Sequence, residues 1–231
     1  MGTMIEFKRP DGQTLQGYLA EPAAGPSTAA IVVIQEWWGL NGQIRGVADR
    51  LAQAGYLVLV PDLYRGQSTV EQEEASHLMN GLDFADASNE DIRGAIQFLK
   101  SRSAKVGCVG FCMGGALTLL TAANNPDLDA AVTFYGFPPL DYLDVANIAT
   151  PLQGHWATQD PHFDINVVDE LEKRLVDAGT AFKFYRYLAL HGFANEDATG
   201  PNRLPTTQYD PIWAQQAWDR TLTFFGRHLV A

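Results

Sequence analysis

Short, mostly apolar runs recur along the chain at 29–35, 56–60, 105–111 and 130–136, each bounded by glycine, proline or polar residues. Runs of that length without alternation suit strands buried on both faces of a parallel sheet. A less apolar run at 151–157 and an alternating one at 182–187 predict two further strands. Between them the spacing changes to 3.6. Ile44, Val47, Ala48 and Leu51 share one helical face, Ile92, Ala95, Ile96 and Leu99 another, and Val168, Leu171, Leu175 and Val176 a third within 166–178. Ala217, Leu222 and Phe225 mark a closing amphipathic helix over 213–229. At the amino end, 5–7 and 13–19 flank Pro10-Asp11-Gly12 and predict a hairpin on a sheet edge. Residues 21–28 and 138–150 predict loops. The polar, acidic stretch 67–89, with helical fragments near 70–79, is expected to cover a site from the side.

Strand and helix alternate almost throughout, so the expected fold class is α/β, a mostly parallel sheet with helices on both faces. No linker divides the chain, and 1–231 is expected to form a single domain. Chemistry in such sheets collects at the carboxyl ends of the strands. Glu36, Cys112, Asp160 and His191 all fall at predicted ends of that kind.

The most informative stretch is Lys105 to Gly115, an apolar strand that breaks into glycines and turns helical at Cys112. Gly110 and Gly114 flank the cysteine in the Gly-x-nucleophile-x-Gly spacing of a nucleophile elbow, with sulfur in place of the usual oxygen. Glycine is needed because a Cβ at either position would collide with backbone in so tight a turn. An inert core thiol would not need two flanking glycines, whereas Cys108, in mid-strand, reads as such a core residue. A phosphate loop is disfavoured, since no Lys-Ser/Thr pair follows and no Gly-x-Gly-x-x-Gly is present.

A thiol is mostly protonated at neutral pH and needs a base beside it. The order nucleophile, acid, histidine reads Cys112, Asp160, His191, with His191 as base and later acid and Asp160 fixing its tautomer. His155 is expected to pack inside its strand, His77, His162 and His228 lie on solvated segments, and His162 is near enough to Asp160 to line the site. The N–H groups of Met113, opening the elbow helix, and Trp37, just past a buried strand, are the expected oxyanion donors. Trp37 and Trp38 can equally pack as aromatic core. Glu36, between a buried strand and two tryptophans, requires a partner: a cation such as Arg45 or Arg65, or the thiol itself.

Composition narrows the partners. A formal net charge of −11 argues against nucleic acid or an anionic membrane as partner. Two cysteines four residues apart across a strand-to-turn junction cannot easily bridge, no basic-then-apolar leader opens the chain, and a cytoplasmic location is expected.

Taken together, Gln35-Glu36-Trp37-Trp38-Gly39, Pro61-Asp62-Leu63-Tyr64, Gly107 through Gly115, Gln159-Asp160 and His191-Gly192-Phe193 resemble the dienelactone hydrolase family of α/β-hydrolases, carboxymethylenebutenolidase-like enzymes, over most of the chain. The resemblance implies a Cys112/His191/Asp160 triad, with Glu36 contacting the thiol at rest and modulating its ionisation. It implies hydrolysis of a lactone or small ester through a thioacyl intermediate, with no metal or organic cofactor. Trp38, Tyr64, Arg65, Phe193 and Asn195 are the expected substrate contacts. Family members that act on dienelactone hold its carboxylate with two arginines; here the first position is Asn195 and the second falls near Gln72, within 67–92, which has no arginine. An amide cannot reproduce a bidentate guanidinium, so less acidic substrates are expected unless Arg65 or Arg203 substitutes. Alternatives are thiol-dependent acyl transfer or peptidase-like cleavage, and a non-catalytic binding scaffold. The protein is expected to be a monomer or a small homo-oligomer.

Overall fold

The apolar runs become the middle of an eight-stranded sheet. In the computed structural model, which describes residues 2–201 and 203–230, the strands are β1 (Thr3–Lys8), β2 (Thr14–Ala20), β3 (Ala29–Ile34), β4 (Leu57–Pro61), β5 (Lys105–Phe111), β6 (Ala130–Phe134), β7 (Leu152–Ala157) and β8 (Phe182–Tyr187). Their order is β1-β2-β4-β3-β5-β6-β7-β8. From β4 to β8 every pairing is parallel, while the β1–β2 hairpin joins antiparallel and β2 runs antiparallel to β4. This is the α/β-hydrolase fold with the edge hairpin that the turn chemistry predicts.

Strand β3 is buried along its whole length, which requires apolar cover on both sides. Alternation supplies it. Val32 and Ile34 face a core shared with α4 (Arg93–Lys100), α5 (Met113–Asn124) and α6 (Ile165–Ala178). Ile31 and Val33 face the opposite core, shared with α1 (Gly42–Gln53) and α7 (Pro211–Phe225). Asn41 caps α1 by accepting the N–H of Ile44 at 3.1 Å.

Several boundaries differ from the expected ones for local reasons. Helix α7 starts two residues early because Asp210 accepts the N–H groups of Ile212 and Trp213 and Pro211 occupies the first turn; its end widens into a π-helical turn, Gly226–Val230. The stretch 138–150 contains two 3₁₀ turns, Leu140–Tyr142 and Val145–Asn147. Helix α2 (Gln72–Asn80) and the short α3 (Phe84–Asp86) lead into a π-helical turn, Ala87–Ile92, before α4. This turn holds Asp91 fully buried, where Arg9 from the hairpin reaches it at 2.9 Å and Arg65 at 2.8 Å. Residues 21–28 form a largely exposed loop feeding the amino end of β3, away from the carboxyl ends of the parallel strands. Among the described residues, no helix is long and apolar enough to cross a membrane.

Candidate active site

The site grows from the turn between β5 and α5. Cys112 has φ 54° and ψ −117°, a left-handed conformation that a side chain adopts only under constraint. A Cβ on Gly110 would stand 2.0 Å from the Gly114 carbonyl oxygen, and one on Gly114 2.4 Å from that of Ile34, so the expected steric reason for both glycines holds. The turn is also fastened from the next strand. The Cys112 N–H donates to the Phe134 oxygen at 3.0 Å, and a Cβ on Gly136 would lie 1.9 Å from the Cys112 oxygen. Cys112 is half-buried and lines a cavity; Cys108 is fully buried, and burial pushes its thiol up to about 12.

His191 follows β8 and Asp160 follows β7. The His191 Nδ1–H donates to Asp160 Oδ2 at 2.7 Å, while Asp160 Oδ1 accepts the main-chain N–H of His162 at 2.8 Å and of Phe163 at 3.1 Å. Phe163 stacks on the imidazole and Tyr135 meets it edge-on, with ring centroids 5.5 and 5.0 Å away. Burial alone would disfavour a charged ring. The adjacent Cys112 sulfur, as negative charge and hydrogen-bond partner, and Asp160 outweigh it and raise His191 to about 10. His162 lines the same cavity with its ring centroid 5.2 Å from that of His191, and its pKa is lowered by burial and then by the neighbouring imidazole.

Glu36 is buried and takes neither arginine proposed for it. Arg45 lies over the Tyr18 ring and Arg65 is spent on Asp91. Two neutral donors hold the carboxyl group instead, the Tyr135 hydroxyl on Oε1 at 3.2 Å and Asn195 Nδ2 on Oε2 at 2.8 Å. Burial raises its pKa against the opposing pull of His191 and these two hydrogen bonds. The sequence gives a cue to Tyr135 only in its place at the end of β6; its φ of 35°, unusual for an aromatic residue, shows that the site constrains it.

Among the described residues, no acceptor takes the N–H of Trp37 or Met113. Both residues line the cavity beside Cys112, and the Trp37 and Trp38 rings pack edge-on at 4.9 Å. The cavity measures about 980 Å³. Thr69, Val70, Gln72, Met79 and Phe84 wall it on the β4 side, as expected of that polar stretch, and Phe137 to Pro139 on the β6 side. Trp38 and Asn195 face it, but three of the expected substrate contacts do not. Tyr64 is buried with its hydroxyl 3.2 Å from Sδ of Met113, which is next to Cys112 in sequence. Arg65 is directed away from the cavity by Asp91, and Phe193 is fully buried against Tyr135 and Tyr187. These three support the site from behind rather than lining it.

A constrained cysteine after β5, an aspartate after β7 and a histidine after β8 occupy the positions that nucleophile, acid and base take in an α/β-hydrolase. The comparisons narrow this: the dienelactone hydrolase family profile matches residues 15–229, and the chain belongs to that family of lactone and ester hydrolases. It is 35% identical to protein usf of Aquifex pyrophilus, with all of both chains covered. Identity to the carboxymethylenebutenolidase of Rhodococcus opacus is 29%, over 98% of this chain and 92% of that one. The solved structure of a dienelactone hydrolase-like protein of Klebsiella pneumoniae superposes with a TM-score of 0.82 at 25% identity, covering 98% of this chain and 99% of the other.

Proposed function

We propose that the protein, acting as one domain over 1–231, hydrolyses lactones or small carboxylic esters through Cys112, His191 and Asp160. The observation that carries this reading is that a left-handed Cys112 and an imidazole oriented by Asp160 line one cavity. Cys112 gives its thiol proton to His191 as the sulfur attacks the carbonyl carbon, and the C–S bond forms as the carbonyl electrons move onto oxygen, where the N–H groups of Trp37 and Met113 receive the charge. The C–O bond then breaks, the alkoxide takes the proton held on His191, and a thioacyl enzyme remains. Water, losing its proton to His191, attacks the thioester, which expels the thiolate and yields the acid. Glu36, a buried carboxyl group lining the same cavity as Cys112, tunes the ionisation of the thiol through its own charge.

The lining favours substrates without a carboxylate. Glu36, Glu71 and Asp197 bring negative charge to the cavity, and Arg203, the one lysine or arginine among its described lining residues, donates to the carbonyls of Leu204 and Thr207. Asn195 is committed to Glu36. A panel of aryl esters and lactones with and without a carboxylate, assayed on wild type and Cys112→Ala, tests both statements. Expected are at least a 10³-fold loss in the variant and faster turnover of the uncharged members. Retained turnover in Cys112→Ala refutes the nucleophile, and preference for dienelactone refutes the specificity.

A further inference from the structure

Beside the triad stands a second imidazole, His162, which the reaction above does not use. Its main-chain N–H is fixed by Asp160, the carboxylate that orients His191. Its ring Nε2 lies 2.9 Å from Thr206 Oγ1, on the segment that follows the catalytic histidine. That segment is a tight turn: the Thr207 N–H and hydroxyl both donate to the Leu204 oxygen, and Arg203 spans the carbonyls of Leu204 and Thr207. It is hung from His191 by main chain, since Gln208 N–H donates to the His191 oxygen at 3.0 Å. Leu204 and Thr207 both line the cavity. The 204–207 turn is therefore held at two adjoining points, at Gln208 by the His191 backbone and at Thr206 by the His162 side chain.

We propose that His162 is a specificity-determining residue: by holding the 204–207 turn through Thr206, it sets the space available to the alcohol portion of the ester. The side follows from the chemistry. His191 must hand its proton to the leaving oxygen, so the departing alcohol lies against His191, between the walls made by His162 and the turn. The acyl portion, bonded to Cys112 in the intermediate, extends elsewhere in the cavity. The bond between His162 and Thr206 thus limits alcohol size and leaves acyl size untouched. This rests on the hydrolase reading given above.

Two ester series test it: one acyl group with alcohols from methanol to a naphthyl methanol, and one aryl alcohol with acyl chains from acetyl to octanoyl. Each is run on wild type, His162→Ala, His162→Gln and Thr206→Val, with melting temperature recorded for every variant. For His162→Ala and Thr206→Val, kcat/KM for the largest alcohol relative to the smallest is expected to rise by about fivefold or more. The acyl-chain ratio stays within about twofold, and kcat within one acyl group is unchanged where thioester hydrolysis limits. His162→Gln, whose amide can still reach Thr206, stays near wild type. An unchanged alcohol ratio, a shift confined to the acyl series, or an equal fall for every ester overturns the proposal, the last indicating that His162 merely positions His191. Absence of Cys112-dependent turnover in the wild type would instead defeat the hydrolase reading itself, and this inference with it.

Discussion

Asn195 fixes where a proton on Glu36 can sit. Its Oδ1 accepts the Asp197 N–H at 2.9 Å, so Nδ2 is the atom that must face Glu36 Oε2, and that oxygen can only accept. A neutral Glu36 therefore carries its proton on Oε1, beside the Tyr135 hydroxyl. Because burial raises this carboxyl group, its ionisation falls above the ordinary carboxylate range. The rate of Cys112 alkylation against pH is expected to show an acid-side bend at that higher position, and Glu36→Gln to remove it. Tyr135→Phe deletes a hydrogen bond that favours the charged form, so the bend moves to still higher pH. Movement in the opposite direction would show that Tyr135 does not govern Glu36. Glu36 and Asn195 were both visible in the sequence as site residues, but their mutual bond was not: 159 positions separate them.

At the scale of elements, the elbow belongs to two strands rather than one. Gly136 leaves room for the Cys112 carbonyl, and β6 accepts the Cys112 N–H. Gly136→Ala must push the two apart. The expected outcome is a loss of about 10²-fold in kcat with destabilisation of about 1–3 kcal/mol, read from ester turnover and denaturant unfolding. The strands themselves were legible because two-sided burial leaves an unbroken apolar run, as in Ala29–Ile34. The flanking glycines were legible for the same local reason. The π-helical turn was not, since an extra residue in a turn leaves the helical spacing nearly intact while redirecting Asp91 inward. For that reason Arg65, near the site in sequence, looked like a ligand for substrate and is in fact a ligand for Asp91. Arg9→Met removes one of the two cations on a fully buried carboxylate and is expected to cost about 2–4 kcal/mol in chemical denaturation. Cys112, His191 and Asp160 lie apart from this pairing, so kcat should stay within about twofold.

The whole molecule carries two buried histidines of opposite sense. His155 is enclosed by Gln153, Tyr187 and Thr221, and burial, followed by the nearby Arg220, lowers its pKa well below the usual value. The unfolded chain then binds a proton that the native chain refuses, so this stability is present above about pH 6.5 and is lost as pH falls below it. His191 is raised to about 10, so its contribution is complete below about pH 6.5 and disappears as pH climbs through 10. Melting temperature against pH should therefore peak near pH 6–7 and decline on both sides. His155→Phe should flatten the acid side while costing about 2 kcal/mol at neutral pH through its stranded partners; an acid slope that survives the substitution would assign it to carboxylates instead.

Every wall of the cavity, among the described residues, comes from a segment that follows the carboxyl end of a parallel strand, and the loop at 21–28 lies at their amino ends. That division leaves the protein a neutral seam. A foreign domain spliced between Ala24 and Gly25 should be carried as passive cargo, with ester kcat/KM of the chimera equal to that of the parent.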